Sequence, residues 1–268
     1  MDERYSRQGF LGEAGQQAIE SARVVINGLG GGGSHFAPQF AHLGVQNFVL
    51  FDADHGDESN LNRTMTLVES DIAARTRKVE AARRRIREIN PRANVEAHAC
   101  RWQDHPKAFH GATLVMGSVD SFSERQQIEA CSRRLLIPYI DIGMDVHPGE
   151  PPGMSGQVIL SAPGGPCMFC MHFLTEEKIG REVANYGAAG GKPQVVWANG
   201  VLASTAVGIA VNILTGWTGS PAPIYLQYNG NDGTLVPHIR LSYLPPGPCE
   251  HYPLEQAGVP VFKKLASE

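Results

Sequence analysis

A set of side chains in the first half of the chain has the types and spacing to handle a phosphorylated ligand. Gly28, Gly30, Gly31 and Gly33 lie in a glycine run between the apolar stretch Arg23–Asn27 and a segment that reads as a helix. Glycines let the backbone approach phosphate oxygens closely, and the free N–H groups of a helix start meet them with a positive dipole end. Asp52 follows the next apolar stretch, Asn47–Phe51, 19 residues beyond Gly33, where a carboxylate accepts hydrogen bonds from ribose hydroxyls. For the glycines alone a tight structural turn is the competing reading. The strand, helix and acid around them favour a nucleotide.

Further residues point past plain dinucleotide binding. Ser59-Asn60-Leu61-Asn62-Arg63 is followed by Lys78 and then by Val119-Asp120. Cations placed there suit a triphosphate, whose charge builds up during transfer. Asp120 follows an apolar stretch readable as a parallel strand, at the edge where such sheets bind ligands, and could hold Mg²⁺. Lys78 also belongs to a basic helix face with Arg77, Arg83, Arg84, Arg85 and Arg87, which reads as solvated. Its place near the helix start, by the ligand edge, sets it apart.

The elements that must hold these residues can be read from periodicity. Strands are predicted at 23–27, 47–51, 95–99, 113–116 and 139–142, and helices at 34–43, 72–89 and 122–135. In the second helix Val79, Ala82, Ile86 and Ile89 make one apolar face. Strand–helix alternation implies an α/β, doubly wound, mostly parallel sheet of the Rossmann type. After Gly143 the pattern changes: a strand at 157–160, an apolar helix at 195–213, and a late hairpin from 224–228 and 235–241 predict an antiparallel C-terminal extension. The apolar helix reads as a core helix because Asn199, Gly200, Ser204, Thr205 and Gly208 interrupt it. Trp197 and Trp217 flank it and are expected to pack against or cap it. His35 and His42 are expected to be packing or surface residues.

Composition narrows the function classes. The 268 residues carry 23 Lys+Arg against 27 Asp+Glu, a net charge of -4, which argues against a partner bound by phosphate neutralisation such as nucleic acid. The 30 glycines and 18 prolines fall short of the roughly 25–30% of low-complexity chains. The opening residues, Met1-Asp2-Glu3-Arg4, have no apolar signal core, so a cytoplasmic, non-membrane protein is expected.

In their order, Arg4-Tyr5-Ser6-Arg7-Gln8, the Gly28–Gly33 loop, Asp52, Ser59–Arg63, Lys78 and Asp120 resemble the ubiquitin-activating enzymes, and the chain is similar to ThiF/MoeB/HesA-type adenylyltransferases over most of its length. Ile140–Met144 and Gly187–Gly191 look like bacterial members. The resemblance implies a single adenylation domain, with an ATP-binding half at 1–145 and a modifier-binding half at 146–268. It implies that Asp52 holds the ATP ribose, that Asn60, Arg63 and Lys78 contact phosphates, and that Asp120 serves magnesium. Arg7 would reach the ATP site of a partner subunit, implying a dimer, most simply a homodimer. The substrate would be a ubiquitin-like protein whose C-terminal glycine is adenylated, with a downstream transfer enzyme as a further partner. Departures are Thr64 where glutamine is common and Ser121 where asparagine is common.

The resemblance also implies a structural zinc. Cys167-Met168-Phe169-Cys170 has knuckle spacing, but the usual second pair is replaced by Pro248-Cys249-Glu250-His251. Cys167, Cys170, Cys249 and His251 could close a tetrahedral site, with a redox pair or a metal-free fold as alternatives. The crossover loop, 175–193, has no cysteine, and Tyr186 stands near where relatives carry one, so a thioester there is excluded. That leaves direct hand-over of the adenylate, an oxyester through Thr175 or Tyr186, or use of Cys100 or Cys131, both of which read as core. The alternatives to a ubiquitin-like pathway are a sulfur-carrier adenylyltransferase for molybdopterin or thiamine synthesis, and a non-catalytic subunit of a heterodimeric activator. A nicotinamide-dependent oxidoreductase is disfavoured by Arg63, Lys78 and Asp120.

Overall fold

Alternation along the first strand decides the layering. In β1 (Arg23–Asn27), Val24 and Ile26 join one apolar cluster and Val25 the other, and all three are fully buried. A strand apolar on both faces belongs inside a sheet covered by helices on each side. β2 (Asn47–Phe51), β3 (Asn94–His98) and β4 (Leu114–Gly117) follow, with β5 (Tyr139–His147), β6 (Gly153–Ser161), β7 (Tyr225–Asn229) and β8 (Thr234–Pro237). The computed structural model describes residues 2–184 and 193–258. Among these residues the strands form one eight-stranded sheet in the order β3-β2-β1-β4-β5-β6-β7-β8. β3 through β5 run parallel, and β6, β7 and β8 are added antiparallel. The register sets Val25 beside Val49 and Val115, so one apolar row crosses three strands.

The helices are α1 (Gly12–Ser21), α2 (Gly31–Leu43), α3 (Glu69–Ala73), α4 (Lys78–Ile89), α5 (Phe122–Arg134), α6 (Glu176–Ala184) and α7 (Val196–Thr215). Residues of α2, α4 and α7 (Phe36, Phe40, Val79, Ile86, Leu202, Ala206) cover the Val24/Ile26 face, and α5 covers the Val25 face through Ile128 and Cys131. α7 is long and apolar enough to cross a membrane by length and composition. Here its Ala198, Leu202, Ala203 and Ala206 are buried against the sheet-side core.

Four expectations need correction. The helix predicted at 72–89 is two helices, broken at Arg75, whose φ is 51°. The break lets Thr76 N donate to Asp71 O at 2.8 Å and Lys78 N to Asp54 O at 3.0 Å, which makes Lys78 the first residue of α4. α2 starts at Gly31, inside the glycine run and ahead of the predicted start at Ser34, which puts Pro38 in its middle. Of the segment 235–241 only the start is strand: β8 ends at Pro237, and Ile239–Tyr243 is 3-10 helix. Finally, Trp197 and Trp217 are 58% and 52% exposed, and Trp217 meets the still more exposed Phe10 edge to face at 5.4 Å.

Candidate active site

The carboxyl ends of β1, β2 and β4 meet where the strand order reverses, between β2-β1 and β4, the place such sheets bind ligands. A cavity of about 410 Å³ opens there. Its wall includes Gly28, Gly30 and Gly31 after β1, Asp52 and Asp54 after β2, Arg63, Lys78 at the start of α4, and Asp120 after β4. The structure therefore brings most of the residues singled out in sequence to one cleft. Gly28 takes a left-handed backbone, φ 81°, and a Cβ there would stand 2.6 Å from the Ser118 carbonyl oxygen. At Gly30 a Cβ would meet nothing, so the loop is open towards the cavity at that point.

Three of the chosen residues are not on the wall. Gly33 lies against the Gly28 carbonyl, where any Cβ would collide, so it serves the close turn of the loop into α2. Asn60 is buried and works as a cap: its Oδ1 accepts from Asp57 N at 3.2 Å, and its carbonyl accepts from Thr64 Oγ1 at 3.0 Å. Arg7 sits, exposed, on the 3-10 segment Glu3–Leu11 and is not among the residues lining the cleft.

The charges on the wall are arranged for exchange of partners. Lys78 is 8% exposed and its Nζ is 2.7 Å from Oδ2 of Asp54, an exposed carboxylate. Asp54 can be released to water at little cost, so an incoming phosphate can take over the buried ammonium. Asp52 Oδ2 accepts from Leu29 N at 2.7 Å and Oδ1 from Asp54 N at 2.9 Å, which aims the carboxylate along the loop. Burial raises its pKa, against the pull of Lys78 and these backbone donors. Arg63 donates through Nη1 to the Ser59 carbonyl and, at 3.2 Å, to Asn62 Oδ1. Asp120 is exposed, and Gln194 Nε2 donates to its Oδ1 at 3.4 Å.

Other wall residues escaped the sequence reading. Asn27, which ends β1, is buried, and its side-chain amide has no hydrogen-bond partner among the described residues. Arg101 directly follows Cys100 beyond β3, a position the rule about parallel strand ends could have flagged. Cys100 itself is a half-buried wall residue, not core; burial raises its thiol pKa, with Asp104 adding to the effect. Cys131 is fully buried and burial pushes its thiol up to about 12, so it is no nucleophile. Glu124 and Arg125 belong to the first turn of α5. Arg125 Nε lies 3.1 Å from Asp141 Oδ2, and Tyr139 Oη donates to Asp141 Oδ1 at 2.7 Å. Gln157 arrives from the antiparallel strand β6, and nothing in its local sequence marks it as a wall residue.

A second cluster stands apart from the cleft. Cys167, Cys170, Cys249 and His251 place their donor atoms within 4.8 Å of one another. Cys167 and Cys170 Sγ are 3.6 Å apart, Cys170 and Cys249 Sγ 3.7 Å, and His251 Nδ1 is 3.5 Å from both Cys167 and Cys170 Sγ. Tetrahedral zinc with bonds of roughly 2.3 Å to sulfur and 2.0–2.1 Å to nitrogen requires edges of roughly 3.5–3.8 Å, and these four separations fit that ion. Phe169 stacks on the His251 ring at 5.2 Å and fixes its orientation.

The profile of the ThiF family matches residues 4–249. The molybdopterin-synthase adenylyltransferase of Escherichia coli is 30% identical over 82% of this chain and 84% of its own length. The one from Salmonella typhimurium is 33% identical over 65% and 69%. The sulfur carrier protein ThiS adenylyltransferase of Bacillus subtilis is 28% identical over 64% of this chain, which spans about half (51%) of that relative. Among solved structures, E. coli MccB with ATP superposes with a TM-score of 0.72 at 21% identity, covering 88% of this chain and 71% of that one. That similarity concerns the fold.

Proposed function

The chain belongs to the ThiF family, and from that premise we propose that it is an adenylyltransferase that activates the C-terminal carboxylate of a small ubiquitin-like protein. The observation carrying this reading is the single cleft that gathers the glycine loop, Asp52, Arg63, Lys78 and Asp120. In this reading the carboxylate of the partner's terminal glycine attacks the α-phosphorus of ATP, the bond to the bridging oxygen breaks, and pyrophosphate leaves with that electron pair. The nucleophile is already ionised, so no general base is required. The chain's work is to orient the two reactants and to offset phosphate charge. Asp52 holds the ribose, the Gly28–Gly31 backbone cradles phosphate, and Lys78 exchanges Asp54 for a phosphate oxygen. Asp120 would hold magnesium, which when bound would offset charge on the polyphosphate. Asn60 supports the turn that carries Arg63, its carbonyl accepting from Arg63 N at 3.0 Å.

Arg7 is exposed and does not line its own cleft, which favours supply of this cation to a second copy and hence a homodimer. We read 1–145 as the nucleotide half and 146–268 as the half that receives the modifier. The thiolates of Cys167, Cys170 and Cys249 with His251 Nδ1 would hold a structural zinc. Tyr186 lies outside the described residues.

The names of the molybdopterin-synthase and ThiS relatives favour a second reading, a sulfur-carrier substrate, which shares the adenylation step. Incubation with ATP, labelled pyrophosphate and candidate ubiquitin-like or sulfur-carrier proteins tests both. Partner-dependent ATP–pyrophosphate exchange, with a partner mass increased by one adenylyl group, is the expected result. Absence of exchange with every candidate counts against the reading, and which partner gains mass separates its two forms.

A further inference from the structure

α6 is tied to the rim of the cleft by two side chains one turn apart on one face. Lys178 Nζ donates to the Phe173 carbonyl at 2.6 Å and lies over the rings of Phe122 and Phe173. Glu182 reaches the start of α5 and accepts four hydrogen bonds there. Its Oε1 takes Phe122 N at 2.8 Å; its Oε2 takes Ser123 N at 3.0 Å, Ser121 Oγ at 3.0 Å and Ser123 Oγ at 2.8 Å. These N–H groups are the unpaired donors of the α5 terminus, where the helix dipole also favours a negative charge. Burial opposes that charge, yet the hydrogen bonds from Ser123, Phe122 and Ser121 hold the carboxyl below its usual range.

The docking point adjoins the residue assigned to magnesium. Asp120 immediately precedes Ser121, and Ser121 Oγ both donates to Glu182 and accepts from Glu124 N at 3.2 Å as the cap of α5. Asp120 itself is exposed, and among the described residues its hydrogen bond is the long one from Gln194. Its placement depends on how firmly the Ser121–Ser123 turn is held. We propose that Glu182 is a positioning residue: by docking on Ser121, Phe122 and Ser123 it seats α6 at the rim of the cleft and fixes the turn that presents Asp120. The magnesium half of this proposal rests on the nucleotide reading above, whereas the seating of α6 does not.

The test uses the full chain with Glu182→Ala, Glu182→Gln and, as a change on the opposite side of the contact, Ser123→Ala. Arg181 is exposed but lies within α6, so trypsin cuts after it only when the helix opens. Loss of a four-fold charged contact should speed that cleavage about tenfold in Glu182→Ala, with Glu182→Gln and Ser123→Ala in between. ATP binding, followed by calorimetry while magnesium is varied, should need about tenfold more magnesium in Glu182→Ala and reach wild-type affinity at saturation. Wild-type cleavage in Glu182→Ala and Ser123→Ala overturns the seating, and faster cleavage with an unchanged magnesium requirement overturns the positioning of Asp120. A wild-type chain that binds no ATP would instead refute the nucleotide reading, while the cleavage rates still decide whether Glu182 seats α6.

Discussion

Lys78 illustrates how a single side chain can be held ready at a site. An ammonium 8% exposed is costly without an anion, and Asp54 supplies one from a position that keeps the carboxylate largely in water. Lys78→Ala should abolish partner-dependent ATP–pyrophosphate exchange while the circular dichroism and thermal midpoint stay near wild type, because Asp54 is left solvated rather than stranded. Asp120→Ala should act in the same way, since that side chain is exposed. Normal exchange in both variants would refute the role of the cleft. Asp52 differs, because its carboxylate also accepts from Leu29 N and Asp54 N. Its replacement disturbs the loop as well as the ribose contact, which makes it the poorer probe.

The joint between α3 and α4 is the element on which the site turns. Arg84 on α4 clasps Asp71 on α3 through Nη1–Oδ1 at 2.6 Å and Nη2–Oδ2 at 2.7 Å, and Val68 N donates to the same carboxylate at 3.0 Å. Asp71 is 2% exposed, and the Arg84 hydrogen bonds hold its carboxyl below its ordinary range in spite of burial. A carboxyl whose folded pKa is depressed adds stability that is present above about pH 4 and is lost as acid protonates it in the folded state. Asp71→Asn should therefore cost about 2 kcal/mol in urea unfolding at pH 7. That difference from wild type should shrink as the pH falls below about 4, and a difference independent of pH would contradict the assignment. The break that this pair secures is what makes Lys78, and not a residue one turn earlier, the first residue of α4.

At the scale of the whole molecule, two connections join distant parts of the chain. The Cys167–Cys170 knuckle, anchored where Met168 N donates to Glu129 Oε1 at 2.8 Å, gathers Cys249 and His251 from some eighty residues downstream. Elemental analysis of protein purified without chelators should find one zinc per chain. Its removal should lower the thermal midpoint and expose the C-terminal segment to proteases, because thiolates crowded at 3.6–3.7 Å lose the charge that holds them together. The other connection would join two chains. If Arg7 acts in trans, mixing Arg7→Ala with Lys78→Ala subunits should recover exchange activity that neither variant has, through mixed dimers with one complete site. No recovery would place Arg7 outside the reaction.

Sequence by itself determined the strands of the parallel half and the main helices that follow them, with the phosphate loop and its acid. These depend on interactions close along the chain: apolar periodicity, glycine where backbone must turn, and an acid at a strand end. The apolar run 195–213 was also legible as a core helix, since its polar and glycine interruptions are local. Tertiary structure alone decided the rest, and for one reason: contacts between elements depend on register and layer, which no local spacing encodes. It placed Asn60 behind the wall, moved Cys100 from core to cleft, and brought Gln157 in from an antiparallel strand. It broke the helix predicted at 72–89 at Arg75, and it left Trp197 exposed where an aromatic beside an apolar helix suggested packing. The carboxylate of Glu182 on the α5 terminus, sixty residues away in the chain, is the clearest case, since a glutamate in a charged amphipathic helix carries no mark of its partner until the fold brings the two together.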